Sequence, residues 1–382
     1  MSHETAGSKR VVISGYYGCG NAGDEAVLAG IVSSFNSLVG NRVELTALSQ
    51  NPDETRRLHS IQSQNRMDLR TVKRQIASSD LLISGGGSLL QDVTSLKSLL
   101  YYLYVMRIAA AKRVPYMLYA QGIGPLNRPI SRKMVSAVAN RAASITVRDT
   151  GSLGLLRSIG VNRPPIEVTA DPAFALTPDT DCTDRVISEA LQDSESPTSG
   201  RKMIGVSLRP WGDPANSPID TYLRLVEKIQ SHTGRTCIIL PMHHPDDLDF
   251  SDRLNAKART QVPVVRERLT PVQALAIVSR LGCVVAMRLH ALIFAARAAV
   301  PAFALSYDPK VTELMKLIGA EENVADWNDF DPDDVAVRIA NLVSNSVSTS
   351  EALNAHSANL EKRALRNCEI ALELIGSKPS SS

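Results

Sequence analysis

The sequence predicts an α/β protein of two domains, each a parallel sheet wound by helices. Three observations lead there. The chain has 382 residues, room for two or three domains at about 150 residues each. Short apolar runs alternate with segments of helical length along the chain, the signature of βαβ units. Most of these runs are continuous rather than alternating, as strands covered on both faces require. Composition agrees: 44% hydrophobic and 21% charged residues is ordinary for a soluble globular protein and excludes disordered and fibrous classes.

Taken in order, the strand candidates of the first half are Val11–Ser14, Val43–Leu48, Leu81–Ser84, Tyr116–Ala120, Ile145–Val147 and Ile166–Val168. Those of the second half are Met203–Leu208, Thr236–Leu240, Val262–Val265, Cys283–Met287 and Ala302–Ser306. Helical patterns fill the gaps, among them Asp24–Leu38, Arg132–Arg141, Ile219–His232 and Pro271–Arg280. The polar, acidic stretch 177–200 breaks the alternation and reads as a linker with one helical turn in it. Domains are therefore expected at 1–176 and 201–345, followed over 346–382 by a long C-terminal helix (about Ser350–Ile375) and a tail. A terminal helix of that length could pack back across the first domain.

The net charge of +3 hides an asymmetry. Residues 1–176 carry 20 Lys+Arg against 12 Asp+Glu, a balance of +8, and the remainder carries 22 against 27, a balance of −5. Neither figure suggests a nucleic-acid coat. The five cysteines form no CxxC pair, which argues against a disulfide framework and for a reducing, cytoplasmic compartment. The first ten residues lack the apolar core of a secretory signal. The most membrane-like stretch, Cys283–Leu305, is interrupted by Arg288, His290, Arg297 and Pro301, so a spanning helix is not expected.

Two glycine-rich turns follow strands. In ISGYYGCGNAGDEAVL, Gly18 and Gly23 let a ligand approach the backbone, and the following helix offers free N–H groups. The turn is neither a P-loop nor a dinucleotide fingerprint: it lacks GK[ST], and no acid ends the second strand. Asn21, Asp24 and Glu25 fall at the carboxyl end of strand one, where open α/β sheets bind ligands. A plain turn with Asp24 as helix cap accounts for the same residues equally well. In LLISGGGSLLQD, Gly86 and Gly87 again point to close backbone approach, with Gln91 and Asp92 expected in the first turn of the next helix. The tyrosine-rich stretch beyond it is either a core helix and strand or, through Tyr101, Tyr102, Tyr104, Arg107, Lys112 and Arg113, a basic aromatic edge for a membrane surface or lipid-linked ligand.

Further strand ends carry charge. Arg148 follows one strand of the first half. In the second half, Arg209, the His243–His244 pair and the Arg288/His290 pair end three strands, and Lys310 opens a helix after a fourth. Converging on one edge, they make a cationic site for a compact anion carrying phosphate and carboxylate, with a histidine able to supply a proton. Zinc is a poor reading, because adjacent histidines diverge and no HExxH or cysteine set accompanies them. No metal is expected.

Together GYYGCGNAGDEAVLAGI, ISGGGSLLQD, VRD, SLRP, MRLHALIFA and SYDPK give the chain a resemblance, over almost its whole length, to the polysaccharide pyruvyl transferases, specifically to members acting on bacterial cell-wall polymers. That resemblance implies two Rossmann-like domains facing a cleft, GT-B-like. It implies transfer of pyruvate from phosphoenolpyruvate, a co-substrate rather than a cofactor, to two sugar hydroxyls as a cyclic ketal. The acceptor it implies is a lipid-diphosphate-linked saccharide, with pyruvate on the 4,6-positions of N-acetylmannosamine in a secondary cell-wall polymer to which S-layer homology domains bind. It also implies that Arg209, Arg288, Leu289, His290 and Lys310 take the donor, with His290 as general acid. Arg148 and Asp24 then look catalytic or acceptor-side. Gly18, Asn21, Gly23, Gly86, Gly87, Gln91 and Asp92 would line the acceptor, and His243 and His244 would stand behind the donor residues. The rivals are a glycosyltransferase using a nucleotide sugar, enolpyruvyl ether formation without ring closure, and a non-catalytic sugar-phosphate binding protein. A contact with the inner membrane face fits the basic first half.

Overall fold

A computed structural model describes residues 8–179, 181, 183–191, 203–210 and 218–376. Residues 192–200 of the expected linker, Trp211 and the end of the tail lie outside the described residues, as does the N-terminal heptapeptide. The chain divides into two compact units. One holds residues up to Cys19, Asp24–Leu176 and the chain from Leu360 onward; the other holds Gly20–Gly23 and Thr177–Asn359.

In the first unit the elements run β1 (Lys9–Tyr17), α1 (Ala22–Val39), β2 (Val43–Ser49), α2 (Pro52–His59), β3 (Gln62–Asn65), α3 (Leu69–Ala77), β4 (Leu81–Ser84), α4 (Leu96–Lys112), β5 (Tyr116–Gln121), α5 (Pro129–Ala139), β6 (Ser144–Val147), α6 (Thr150–Ser158) and β7 (Ile166–Val168). The seven strands are all parallel, in the order β3-β2-β1-β4-β5-β6-β7. Continuous apolar strands such as LLIS and SITV are buried at every residue, because helices cover both sheet faces. On one face Tyr102, Leu103 and Met106 of α4 pack against Leu82 and Leu118. On the other, Val27, Leu28 and Ile31 of α1 share a core with Cys368, Ala371 and Leu372.

The second unit continues with α7 (Thr183–Leu191), β8 (Met203–Ser207), α8 (Ile219–Thr233), β9 (Thr236–Ile239), α9 (Asp246–Lys257), α10 (Pro271–Ser279), β10 (Cys283–Ala286), α11 (Leu289–Arg297), β11 (Ala302–Ser306), α12 (Pro309–Leu317), β12 (Val324–Asp326) and α13 (Pro332–Ser344). Its five parallel strands lie in the order β12-β11-β10-β8-β9. Tyr222 anchors the core, stacked on Trp327 at 4.6 Å and edge-on to Phe250 at 5.3 Å. Last comes α14 (Ser346–Leu374), which starts in the second unit and ends in the first.

Some expectations need correction. The helix after the triple glycine starts only at Leu96, so Gln91 and Asp92 lie in a loop, not in a first helical turn. Side-chain chemistry delays it: Gln91 Oε1 accepts the Val93 and Thr94 N–H groups, and Ser95 then caps α4. Val262–Val265 forms no strand. It meets β9 only at the Ile239–Val264 bridge, beside Pro263, which has no N–H to give a ladder. The short edge strands β3 (QSQN) and β12 (VAD) escape detection because they lack an apolar run. The linker's helical turn is the nine-residue α7.

Asn367 ties α14 to the first unit. Its Oδ1 accepts the Thr169 hydroxyl at 2.6 Å and its amide donates to the Ala170 carbonyl at 3.1 Å, all buried. Leaving such groups unpaired costs about 1–3 kcal/mol. Asn367→Ala should therefore lower the unfolding free energy of the first unit by that much, read as a lower denaturant midpoint at unchanged m-value, and an unchanged midpoint would contradict this anchoring role.

Candidate functional site

In the first unit the strand order reverses between β1 and β4, so their carboxyl ends open a crevice there. β1 leads to Asp24, β4 to Gly87 and Ser88, and β6 to Arg148. The sheet thus brings three of the expected site residues together. Gly87 adopts φ +87°, which favours glycine, and a Cβ on it would lie 3.0 Å from Asp24 Oδ1 and crowd that carboxyl. Gly86 has a packing reason of its own: a Cβ there would meet Val27 at 2.9 Å.

Arg148 is not a loose cation. Its Nη1 donates to the buried Asp171 carboxylate at 2.7 Å and its Nη2 to Ser88 Oγ at 3.3 Å, while the guanidinium lies over Gly122. Asp171 follows β7 and carries no motif, so nothing in the sequence announces it. A second buried pair fixes the turn. Glu25 meets His59 Nε2 at 2.7 Å and accepts the Gly18 N–H at 2.8 Å. Arg66, equally unannounced, donates to Gly15 O at 3.4 Å with its guanidinium over the Tyr101 ring.

Asp24 is not the cap of α1. That role falls to Asn21, whose Oδ1 accepts the Gly23 N–H at 2.9 Å. Burial first, then the Glu25 and Asp171 carboxylates, push the Asp24 carboxyl up to about 7, against the opposing pull of Arg148 and Arg66. A carboxyl poised there can take a proton from a hydroxyl near neutral pH. Asp92 is committed to its loop, accepting the Asn127 and Arg128 N–H groups at 2.8 Å each, and those bonds hold it below the ordinary carboxylate range despite its burial.

In the second unit the order reverses between β8 and β10, and their ends deliver Arg209 and Arg288 side by side. Arg209 Nη1 donates to the Tyr307 hydroxyl at 2.9 Å, with the guanidinium over that ring. Arg288 makes a two-pronged pair with Asp247, including Nε to Oδ2 at 3.0 Å. The same Oδ2 accepts the Met242 and His243 N–H groups at 3.1 and 3.0 Å, so one buried carboxylate fixes both an arginine and the turn after β9. Leu289 and His290 open α11, whose N-terminal end favours an anion. Lys310 sits in the first turn of α12, capped by Asp308.

Gly20–Gly23 pack within this unit. Ala22 N–H donates to Met242 O at 2.9 Å, His244 N–H to Gly20 O at 3.0 Å, and a Cβ on Gly23 would fall 2.3 Å from His290 Nδ1. Gly23 therefore makes room for the imidazole. His243 Nδ1 pairs with Asp246 at 3.1 Å. His244 is held below the usual imidazole range, first by burial and then by Arg268. Among the described residues, no three His, Cys, Asp or Glu side chains are placed to hold a metal ion.

Two parallel α/β units of this design define a class of fold. S. aureus MnaA with UDP shares it, with a TM-score of 0.64 at 12% identity over 98% of this chain and all of that one. So does a putative UDP-N-acetylglucosamine 2-epimerase from Listeria monocytogenes, with a TM-score of 0.67 at 11% identity over 98% and 99%. Anabaena HepE in complex with UDP and glucose gives 0.60 at 14% over 96% and 100%. These similarities establish a GT-B-like fold. The family is set by sequence: the polysaccharide pyruvyl transferase model matches residues 21–309, and the chain belongs to that family. It is 21% identical to the amylovoran biosynthesis protein AmsJ of Erwinia amylovora, over 88% of this chain and 92% of that one.

The Asp24 environment has a direct test. The folded state holds this proton more tightly than the unfolded chain does, so stability falls as pH rises from the ordinary carboxyl range through about 7. Carbon-13 NMR of the Asp24 carboxyl should give a midpoint near 7, moving higher in Arg148→Gln, which removes a cation that lowers it. A midpoint near 4 in the wild type would contradict the assignment.

Proposed function

We propose that this family member transfers pyruvate from phosphoenolpyruvate to two hydroxyls of a sugar, releasing phosphate and leaving a cyclic ketal. The observation that carries the reading is the second unit's carboxyl edge. Arg209, Arg288 and Lys310 stand at the ends of the adjacent strands β8, β10 and β11, beside the N-terminal end of α11. Such an edge suits one small molecule bearing both phosphate and carboxylate. Fixed guanidinium forks also match the charge that gathers on phosphate as it leaves.

The residues divide the chemistry between them. His290, as imidazolium, protonates the methylene carbon of phosphoenolpyruvate, and C2 becomes oxocarbenium-like. A sugar hydroxyl forms a bond to C2 and gives its proton to Asp24 in the carboxylate form. The C2–O bond to phosphate breaks, with both electrons leaving on phosphate beside Arg209, Arg288 and Lys310. The second hydroxyl then closes the ring. Of the two hydroxyl protons, one replaces that spent on the new methyl group and the other leaves with phosphate. Arg148, held by Asp171, pulls the Asp24 carboxyl down and so steadies its carboxylate form. No step calls for a metal.

The first unit, with the chain's basic excess, takes the acceptor. We assign this to a saccharide linked through diphosphate to a lipid, the precursor of a secondary cell-wall polymer, carrying pyruvate on the 4,6-positions of N-acetylmannosamine as in CsaB-type members of the family. Gly18, Gly87 and Gln91 form its bed in this reading. The chain would act on the cytoplasmic side, where phosphoenolpyruvate is available.

The test is phosphate release from phosphoenolpyruvate with a panel of lipid-diphosphate-linked sugars, alongside UDP-sugars as alternative donors. The expected product shows a ketal methyl resonance in its NMR spectrum, whereas a vinylic methylene would mean an enol ether. A general acid is worth about 10²–10⁴ in rate. His290→Gln should lose at least that lower figure, and activity within about tenfold of wild type would remove His290 from the role. Turnover of a UDP-sugar in place of phosphoenolpyruvate would overturn the reading itself.

A further inference from the structure

We propose that the outer face of the α3–α4–α5 layer docks the protein on an anionic lipid bilayer. Nine large apolar side chains are exposed among the described residues, and six lie on this layer or the loops leading into it. Met67, Val93 and Ile130 are 62%, 59% and 57% exposed, and Leu69, Leu100 and Tyr104 are exposed beside them. The three helices are neighbours on one sheet face, α4 between the other two. The Tyr101 hydroxyl donates to Arg66 O at 2.9 Å, which sets the start of α3 against the middle of α4.

Charge singles out the occupant. Residues 66–141 contain 12 Lys+Arg and 3 Asp+Glu, so this one segment carries +9 while the whole first half carries +8. The three acids are committed to the fold. Asp68 caps α3, Asp80 pairs with Lys9 and the Arg10 N–H, and Asp92 takes two backbone N–H groups. Val93 lies in the loop before α4, and along the helix the exposed stripe runs Lys97, Leu100, Tyr104, Arg107, at the spacing of one helix face, so apolar and cationic side chains interleave. A polyanion in water would meet the bases but leave the apolar crests unsatisfied. A bilayer interface takes the crests into its acyl boundary and the bases against its headgroups. The buried partners confirm the division, because Tyr102 faces the core while Tyr104 faces out. No described helix is long and apolar enough to cross a membrane, so the contact is peripheral. Met67 and Val93 follow the carboxyl ends of β3 and β4, the same sheet edge that carries Asp24, which places the surface where a lipid-anchored acceptor would arrive.

Flotation of the full chain with vesicles tests this without donor or acceptor, so its outcome is independent of whether pyruvyl transfer is the reaction. Binding is expected to vesicles containing about 30% phosphatidylglycerol, at least tenfold tighter than to pure phosphatidylcholine vesicles and falling severalfold in 0.5 M NaCl. Met67→Glu with Leu100→Glu should weaken it at least tenfold, and so should Lys97→Glu with Arg107→Glu, a pair whose exposure makes misfolding no explanation. Val337→Glu, exposed on α13, should bind as wild type. Wild-type chain left in the soluble fraction would overturn the proposal. So would vesicle binding indifferent to the Met67/Leu100 pair, and retention on heparin without binding to vesicles would mark a polyanion site instead.

Discussion

The pairing of Arg288 with Asp247 organises the carboxyl edge of the second unit's sheet. A guanidinium at a strand end in water would sweep through many rotamers. Held from two sides by a carboxylate that is itself 1% exposed, it presents its remaining N–H groups in one direction. Asp247 does more than pair. Its Oδ2 also gathers the Met242 and His243 N–H groups, so the turn after β9 and the arginine after β10 share a single anchor. Removing that carboxylate would leave a part-buried cation and two backbone donors without their acceptor, a larger loss than one ion pair.

The first unit repeats the device with a different consequence. Asp171 fixes Arg148 as Asp247 fixes Arg288, again with an acid supplied from elsewhere in the chain. There, however, a further carboxylate stands nearby. Asp24 feels burial and two neighbouring acids on one side and Arg148 and Arg66 on the other, and the balance leaves it near neutrality rather than fully acidic. One unit thus offers positive charge already compensated and directed, the other a base already tuned. Asp24 in the first unit, and Arg209 and Arg288 in the second, follow strands flanking the point where the order of the sheet reverses.

What the sequence reveals follows from local physics. Strands buried on both faces must be apolar throughout, so LLIS, SITV and CVVA stand out, while QSQN and VAD at the sheet edges do not. Residues immediately after an apolar run can be read as strand-end groups, which is how Asp24, Arg148, Arg209, Arg288, His290 and Lys310 come into view. Their partners cannot be read this way. Asp247 precedes Arg288 by 41 residues and Asp171 follows Arg148 by 23, and only the sheet brings them into contact. The glycines mislead in an instructive way: the run Gly85–Gly87 suggests ligand approach throughout, yet Gly85 makes room for the Tyr17 ring and Gly86 for Val27. The charge split likewise sharpens with structure, since the basic excess of the first half is concentrated on one layer of helices.

Calorimetric titration of phosphoenolpyruvate into wild-type protein and Asp247→Asn tests the central claim most directly. Asn keeps the size of the side chain but gives up the charge that grips Arg288 and can accept at only one oxygen. The account expects wild-type protein to bind phosphoenolpyruvate and Asp247→Asn to bind it at least about tenfold more weakly, the scale set by losing a hydrogen bond to a charged group, with near-unchanged secondary structure. Equal affinity in the two proteins would contradict it.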